Sequence, residues 1–195
     1  MSTSFISRKK QEKEYFHKVL DFFEKQNMVY KDVSENTSFF EKDIDILLFM
    51  NDVEISVEVK IDSWIWKTSN FFFEIISNEE KGTLGCFLKS QAHIWLYVDT
   101  KNDILYFFPL DKVRKWFYII RKNLKWWKEY KKFEDTFPLR ATSTESEKWI
   151  FSHTTIGRLV NKKYLLWWLR ESGIWYIQKN LLDDVSQEEI QKLIR

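Results

Sequence analysis

The sequence predicts an α/β fold in which helices flank a central mixed sheet, and three patterns indicate it. Apolar side chains recur at three- and four-residue spacings over residues 8–26, as in an amphipathic helix. Two runs within residues 44–62 alternate apolar and polar side chains, as in a β-hairpin. Residues 94–98 and 104–108 are short apolar runs bounded by polar residues, which is typical of buried strands. At 195 residues, the chain can bury the core of one domain.

The other elements follow from local signals. Glycine, proline and polar clusters mark their ends, and Ser186 with Glu189 forms the capping-box pattern of a helix start. In chain order we predict a short strand near 27–30, a loop at 32–37, a strand at 71–76, a helix at 110–132, a loop at 138–147, short strands at 149–151 and 154–160, a helix at 161–171 that stops before Gly173, and a last helix from Ser186.

Composition narrows the class of protein. Charged residues make up 31% and hydrophobic residues 44%, which is typical of a globular protein. No apolar run reaches membrane-spanning length and the N-terminus lacks a signal-peptide core, so we expect no membrane partner. The single cysteine excludes an internal disulfide and fits a reducing compartment. With many Lys, Ile and Phe and only two Ala, the composition suggests an AT-rich genome. We therefore expect the cytoplasm of a bacterial cell or of a phage-infected host.

The hairpin is the most informative stretch. If Asn51 and Asp52 form its loop, Ile46 faces Val57 and Leu48 faces Ile55, which gives one continuous apolar side. The same register sets Ile44 opposite Val59, Asp45 opposite Glu58 and Asp43 opposite Lys60. Cβ atoms of directly opposed residues lie about 4.5–5.5 Å apart.

Two carboxylates at that distance repel, so one takes up a proton unless a cation lies between them. Mg²⁺ is held in proteins by one or two carboxylates together with water and phosphate oxygens. Lys60 follows Glu58 by two residues and emerges on the same face of the strand. The pattern therefore predicts a site that cleaves phosphodiesters; the alternative is a solvent-facing strand that carries ordinary charges.

Asp45 on one strand and Glu58-Val59-Lys60 on the next resemble the PD-(D/E)XK nuclease superfamily. The resemblance covers roughly the first 120 residues and implies a restriction-endonuclease-like fold. It also implies that Mg²⁺, with Mn²⁺ as a substitute, is held by Asp45, Glu58 and the backbone carbonyl of Val59. Ile44 replaces the proline that names the motif, which leaves Asp43 as an alternative ligand to Asp45.

The resemblance adds three further candidates. A glutamate of the first helix approaches the metal in many members, which points to Glu14; a surface acid near a helix start is the alternative. Glu74 stands in an apolar strand, where it is either a ligand, a partner of a lysine, or an edge residue facing solvent. The segment after residue 66 resembles phage and mobile-element nucleases, in which a cluster such as Lys89, Ser90 and Gln91 lies near the active site.

A basic block begins after Pro109. Between residues 112 and 132 there are nine Lys or Arg and one acid, whereas the whole chain has a net charge of +2. Such a density favours contact with a nucleic-acid backbone over a merely solvated helix face. The candidate DNA contacts are Lys89, Lys112, Lys115, Arg121, Lys122, Lys125 and Lys128.

These patterns predict a nuclease core at residues 1–137 and a C-terminal α/β extension at 138–195 that packs on it. The first functional hypothesis is a Mg²⁺-dependent DNA endonuclease of phage or mobile-element type. The second is a Holliday junction resolvase, which acts as a homodimer on branched DNA. The third is an inactive nucleic-acid-binding module of the same fold.

Overall fold

The computed structural model describes residues 3–122, 133–144 and 153–195. In these ranges the protein is mixed α/β, with a six-stranded mixed sheet and a second, four-stranded sheet. The helices are α1 (Thr3–Lys25), α2 (Thr37–Phe40), α3 (Ile65–Thr68), α4 (Cys86–Lys89), α5 (Leu110–Lys122), α6 (Lys162–Glu171) and α7 (Gln187–Ile194). The strands are β1 (Val29–Asp32), β2 (Ile46–Met50), β3 (Val53–Asp62), β4 (Asn70–Asn78), β5 (Thr83–Leu84), β6 (Ile94–Asp99), β7 (Ile104–Pro109), β8 (Leu139–Thr144), β9 (His153–Asn161) and β10 (Ile177–Asn180).

The six-stranded sheet has the order β1-β2-β3-β6-β7-β10. Strands β3 and β6 are parallel, and the other neighbours in this sheet are antiparallel. A parallel pair needs a long crossover connection. That connection carries α3, β4, β5 and α4, which bring further side chains to the end of β3. The predicted mixed sheet flanked by helices is confirmed at this level.

The hairpin register is confirmed for its strands. Ile46 pairs with Val57, and Leu48 pairs with Ile55. Asn51 and Asp52 form the turn with positive φ angles of 48° and 63°, a conformation that Asn and Asp tolerate better than most residues. The alternation of side chains thus fixes the face that each residue presents.

Both faces of this sheet are buried. On one face, Ile46, Leu48 and Ile55 lie in a core with α1 and α7; the helix side chains are Val19, Phe22, Phe23, Ile190 and Leu193. The other face packs against α5, α6 and β4 through large aromatic side chains. There the ring of Phe71 meets Tyr97 edge-on with centroids 4.9 Å apart.

The second sheet, β5-β4-β9-β8, is antiparallel throughout. It was not predicted. The loop expected at residues 138–147 is wrong over Leu139–Thr144, which is strand β8 paired with β9. Serine and threonine suggested a loop, but their side chains also fit an edge strand once β9 supplies the hydrogen bonds.

Strands from both sides of residue 138 share the two sheets. Strand β9 pairs with β4, and β10 pairs with β7. Arg158 of β9 is buried and donates to both carboxylate oxygens of Glu134, at 2.7 and 2.8 Å. The division into a core and an extension stays a prediction, and the extension is in close contact with the core.

Several helix ends confirm the local signals. Asn161 caps α6, and Ser186 with Glu189 forms a complete capping box at α7. Gly173 follows α6 with φ of 67°. Helix α5 is described to Lys122, and the rest of the helix predicted to residue 132 lies outside the described residues, as does the short strand predicted at 149–151. No described helix combines the length and apolarity that crossing a bilayer requires.

Candidate active site

The candidate site lies where β3 extends past the start of β2. The ladder between the two strands ends at the pair Ile46–Val57, whereas β3 continues to Asp62. Strand β1 ends at the same level, because Asp32 pairs with Ile46. The second half of β3 therefore borders an opening rather than the β2 ladder, and Glu58 and Lys60 are in that half.

Asp45 lies at the edge of this opening, directly before β2. Its backbone N–H donates to the carbonyl of Val57 at 2.9 Å, so the regular ladder does not continue to Glu58 as predicted. Its carboxylate accepts a 2.8 Å hydrogen bond from the N–H of Val59. The predicted partner of Ile44, Val59, is also wrong, because Ile44 packs in the core on the opposite face of the sheet from Ile46. The chain turns away at Asp43, where φ is 48°.

The carboxyl groups of Asp45 and Glu58 nevertheless meet and are hydrogen-bonded to each other. Burial raises the pKa of Glu58 well above its usual value, and the negative charges of Asp45 and Asp43 raise it further. Burial also raises the pKa of Asp45, although the Val59 N–H opposes the change. Without a cation, burial and mutual repulsion therefore disfavour the state in which both carboxyl groups are ionised.

The Val59 carbonyl lies on the same side of β3 as Asp45. Val57 accepts from Asp45 through its carbonyl, and Val59 donates to Asp45 through its N–H. The carbonyls of Ser56 and Asp62, at even-numbered positions of β3, point the other way and accept hydrogen bonds from the β6 side. By this alternation, the carbonyl of Val59 faces the opening beside Asp45.

Lys60 contacts Glu74 rather than the acidic pair. Its Nζ is 3.0 Å from Glu74 Oε2, and both side chains are largely buried. Burial lowers the pKa of the Lys60 ammonium, but the negative charges of an ionised Cys86, Glu74 and Glu58 outweigh it and leave the pKa raised. Burial keeps the Cys86 thiol protonated at neutral pH by raising its pKa to about 12, so Glu74 is the effective partner. Glu74 was expected to be a metal ligand, a partner of a lysine or an edge residue facing solvent; in the structure it is the partner of a lysine.

Glycine at position 85 allows α4 to approach β4 closely enough for this arrangement. A Cβ on Gly85 would lie 2.5 Å from the backbone oxygen of Glu74 and 2.7 Å from its Cγ. The N–H of Gly85 donates to the carbonyl of Ile75 at 2.8 Å. Any side chain at position 85 would therefore push Glu74 away from Lys60.

Asp43 has a different partner from Asp45. Its carboxylate is 3.0 Å from the Nζ of Lys89, and its backbone oxygen accepts a 2.8 Å hydrogen bond from Ser90. Lys89 and Ser90 thus reach the segment that precedes Asp45. The backbone N–H of Gln91 also donates to the carbonyl of Lys42 in this segment, at 2.8 Å. Gln91 is nevertheless exposed and lines a separate cavity of about 510 Å³ with Lys112 and Arg114. Between the two candidate ligands, Asp45 is the one in contact with Glu58.

A cavity of about 550 Å³ joins these groups and is rich in acids. Among the described residues, seven carboxylate side chains and two lysines line it: Glu12, Asp32, Glu35, Asp43, Asp45, Glu58 and Glu74, with Lys13 and Lys60. Glu14 is outside this lining and pairs with Lys18 at 3.2 Å on the surface of α1. Glu12 was the residue to choose from α1, because it precedes the buried Tyr15 and Val19 by three and seven positions.

The candidate DNA contacts are dispersed. Lys112 and Lys115 lie on α5, half-buried and exposed respectively. Arg114, between them, is not available to a phosphate: it donates to the carbonyls of Phe87 and Ser90, both at 2.6 Å. Arg121 and Lys122 fall in the last turn of α5, and Lys125 and Lys128 lie outside the described residues.

The donor set limits which metals fit. Within residues 3–122, 133–144 and 153–195, no group of three or more His, Cys, Asp or Glu side chains is arranged to hold a metal ion. Two carboxyl groups and one carbonyl are hard oxygen donors. They fit a cation such as Mg²⁺, which keeps several waters and uses few protein ligands.

No protein-family model matches the chain, and neither a curated protein nor a solved structure matches it. The chemistry of the site is therefore argued from its own residues.

Proposed function

We propose that the protein is a metal-dependent DNA endonuclease that hydrolyses phosphodiester bonds. The observation that carries the proposal is the contact between the carboxyl groups of Asp45 and Glu58 at the free half of β3, two residues before the buried Lys60. Asp45 immediately before one strand and Glu58-Val59-Lys60 on the next are the arrangement that the resemblance to PD-(D/E)XK nucleases implies.

The electrostatics of the cavity support a cation. Its lining carries seven carboxylates and two lysines, so a phosphodiester would be repelled from it. A buried pair with raised pKa values is also unfavourable when both groups are ionised. Asp45, Glu58 and the carbonyl of Val59 would hold the ion. When bound there, Mg²⁺ supplies a Lewis acid and lowers the pKa of a water molecule.

The ammonium of Lys60 is assigned to charge stabilisation. A base must lose its proton near neutral pH, whereas the ion pair with Glu74 favours the charged form of Lys60. A fixed positive charge next to the reacting phosphate stabilises the negative charge that develops in the transition state. Glu74 holds the ammonium in position at 3.0 Å.

The test is Mg²⁺-dependent cleavage of supercoiled plasmid, scored as nicked and linear product. Lys60→Met removes the charge with little change of shape, and we expect a loss of about 100- to 1000-fold in rate, as for other fixed stabilisers of transition-state charge. Glu58→Gln removes a ligand and should abolish detectable cleavage. Glu14→Gln is the matched control, because Glu14 is outside the cavity. If Lys60→Met and Glu58→Gln cut as fast as Glu14→Gln, the nuclease assignment is wrong.

A binding module without catalysis is the second candidate, and one observation favours it: no ready set of three ligand side chains exists among the described residues. Such a protein binds DNA with steep salt dependence but shows no Mg²⁺-dependent turnover. The plasmid assay distinguishes the two candidates. Four-way junctions assayed beside linear duplex then separate a general endonuclease from a resolvase.

A further inference from the structure

Two tryptophans are exposed immediately after β3. Trp64 and Trp66 are 56% and 48% exposed, although the buried Ile65 between them belongs to the core. Large apolar side chains that remain exposed at a surface are candidate contacts for a partner. Since β3 carries Glu58 and Lys60, this pair lies at the end of the strand that bears the candidate active site.

The backbone at Trp64 is anchored by hydrogen bonds. Asp62 accepts hydrogen bonds from the N–H groups of Trp64 and Ile65, at 2.6 and 3.0 Å. The other oxygen of Asp62 accepts from the hydroxyl of the buried Tyr97 at 2.5 Å, and that hydroxyl also accepts from the N–H of Phe72. The segment is thus tied to both sheets, and the ring of Trp64 is exposed on a fixed support.

The ring of Trp66 is also held in place, because its Nε1 donates to the carbonyl of Ser63 at 3.0 Å. An aromatic surface that is ordered before binding loses little conformational entropy when a ligand stacks on it. The exposure of these rings is therefore suited to a flat partner.

Positive charge accompanies the rings. The Nζ of Lys67 is 5.4 Å from the centroid of the Trp64 ring. The N–H of Lys162 donates to the carbonyl of Ser69 at 2.8 Å, which brings the start of α6, with the exposed Lys163, next to α3. Aromatic rings beside lysines form the combination that binds single-stranded nucleic acid, where bases stack and phosphates meet ammonium groups.

The spacing from the candidate site is short. Trp64 follows Lys60 by four residues, and an extended chain spans at most about 3.3–3.6 Å per residue, so their Cα atoms lie within about 14 Å. At about 3.4 Å per stacked nucleotide, this corresponds to about four nucleotides.

We propose that Trp64 and Trp66 stack on unpaired bases next to the cleaved phosphate, with Lys67 contacting the backbone, so that the substrate is DNA with a single-stranded stretch. The proposal rests on the nuclease function proposed for Asp45, Glu58 and Lys60. Bases within a duplex have their faces covered by their neighbours, and only unpaired bases offer a free face to an indole ring.

The test measures binding without divalent cations, so that it does not depend on cleavage. Fluorescence anisotropy compares a labelled single-stranded oligonucleotide, an equally long oligomer of abasic sites and a duplex. We expect the wild type to bind the base-bearing single strand most tightly. Trp64→Ala and Trp66→Ala should each weaken that binding by about 5- to 150-fold, the range measured for one stacked base. Neither should change binding to the abasic oligomer.

Trp175→Ala is the matched control, because Trp175 is 49% exposed and lies next to β10 at the far edge of the sheet. Trp64→Phe, which keeps a ring, should restore most of the affinity. The proposal is overturned if the Trp64 and Trp66 variants bind like Trp175→Ala, or if the abasic oligomer binds as tightly as the base-bearing single strand. It is also overturned if the duplex binds as tightly as the single strand, which would point to a duplex as partner. Failure of the wild type to bind any oligonucleotide would overturn it too, and would point to a protein as partner. Base-dependent binding by a protein that fails the plasmid assay would remove the nuclease function and leave the stacking surface.

Discussion

The two ends of the β2–β3 hairpin carry acids in opposite environments. At the turn, Asp52 and Glu54 are exposed to water. At the open end, Glu58 is buried and Asp45 is half-buried, and loss of solvation raises the pKa of both. Exposed acids cost the fold nothing, whereas buried, mutually repelling acids destabilise it. Because one strand carries both kinds, the hairpin itself does not require the buried pair, and the contrast marks the open end as the functional one.

The largest expected effect separates the two ends by activity. Asp45→Asn keeps the size of the side chain but removes a ligand charge, and a loss of several kcal/mol of transition-state stabilisation corresponds to about 1000-fold in rate. Asp52→Asn makes the same change at the turn, where asparagine tolerates a positive φ. Initial rates of plasmid cleavage should differ by that factor between the two variants. Equal rates would show that the buried end has no special part in the reaction.

The next effect is stabilisation by the metal. A cation that binds only the folded protein at 100 times its dissociation constant raises the free energy of unfolding by about 2.7 kcal/mol. We expect Mg²⁺ or Mn²⁺ to raise the melting temperature of the wild type and of Asp52→Asn, measured by calorimetry. Glu58→Gln should show no such rise. A rise in Glu58→Gln equal to that of the wild type would place the cation elsewhere.

A third prediction concerns the pH dependence of stability in the absence of divalent cations. Because the pKa of Glu58 is higher in the folded state than in the unfolded state, the folded protein binds more protons between these two values. Its stability therefore falls as the pH rises from the unfolded pKa of about 4.3 through the folded pKa, by about 1.4 kcal/mol for each unit of difference.

Glu58→Gln removes the contribution of Glu58 to this dependence, so the variant should be more stable than the wild type at pH 8 and inactive. Glu54→Gln, at the exposed end of the same strand, is the control and should keep the wild-type profile. Urea titrations at a series of pH values measure both. A Glu58→Gln protein that is less stable than the wild type at pH 8 would contradict the burial argument.

The sequence was sufficient for the features that depend on neighbours along the chain. The alternation in β2 and β3 sets which face each residue occupies, so the meeting of Asp45 with Glu58 could be predicted without a structure. It could not show that Asp43 turns the chain with a positive φ, or that the ladder ends at Ile46–Val57, three pairs short of the predicted Asp43–Lys60 pair. The capping box at Ser186 is local in the same way and was predicted.

Features that depend on distant pairing were not predictable. The second sheet joins Phe73 to Arg158, and nothing in the periodicity of either segment specifies its partner. Glu74 is on β4, in the connection between β3 and β6, and the position of that strand brings it to Lys60. The sequence therefore left three roles open for Glu74. Glu12 was missed for another reason: Glu14 was chosen because the resemblance points to a glutamate of the first helix, whereas the buried face of α1 decides which acid reaches the cavity.

The smallest expected effect is a loss of stability, opposite in sign to the gain predicted for Glu58→Gln at pH 8. Asn51 adopts φ of 48°, and alanine in the left-handed region costs about 1 kcal/mol more than a residue that tolerates it. Asn51→Ala should therefore lower the free energy of unfolding by about that amount and leave plasmid cleavage unchanged. Denaturant unfolding and the plasmid assay on the same preparation check both halves.

Asn51→Gly is the control, since glycine adopts this conformation without steric cost. Slower cleavage by Asn51→Ala, but not by Asn51→Gly, would mean that the turn communicates with the acidic pair through β2 and β3. With unchanged cleavage, the two ends of one hairpin would be separable, since Asn51→Ala loses stability and keeps activity while Glu58→Gln gains stability and loses it. That opposition is expected where buried charge is retained for chemistry at the expense of the fold.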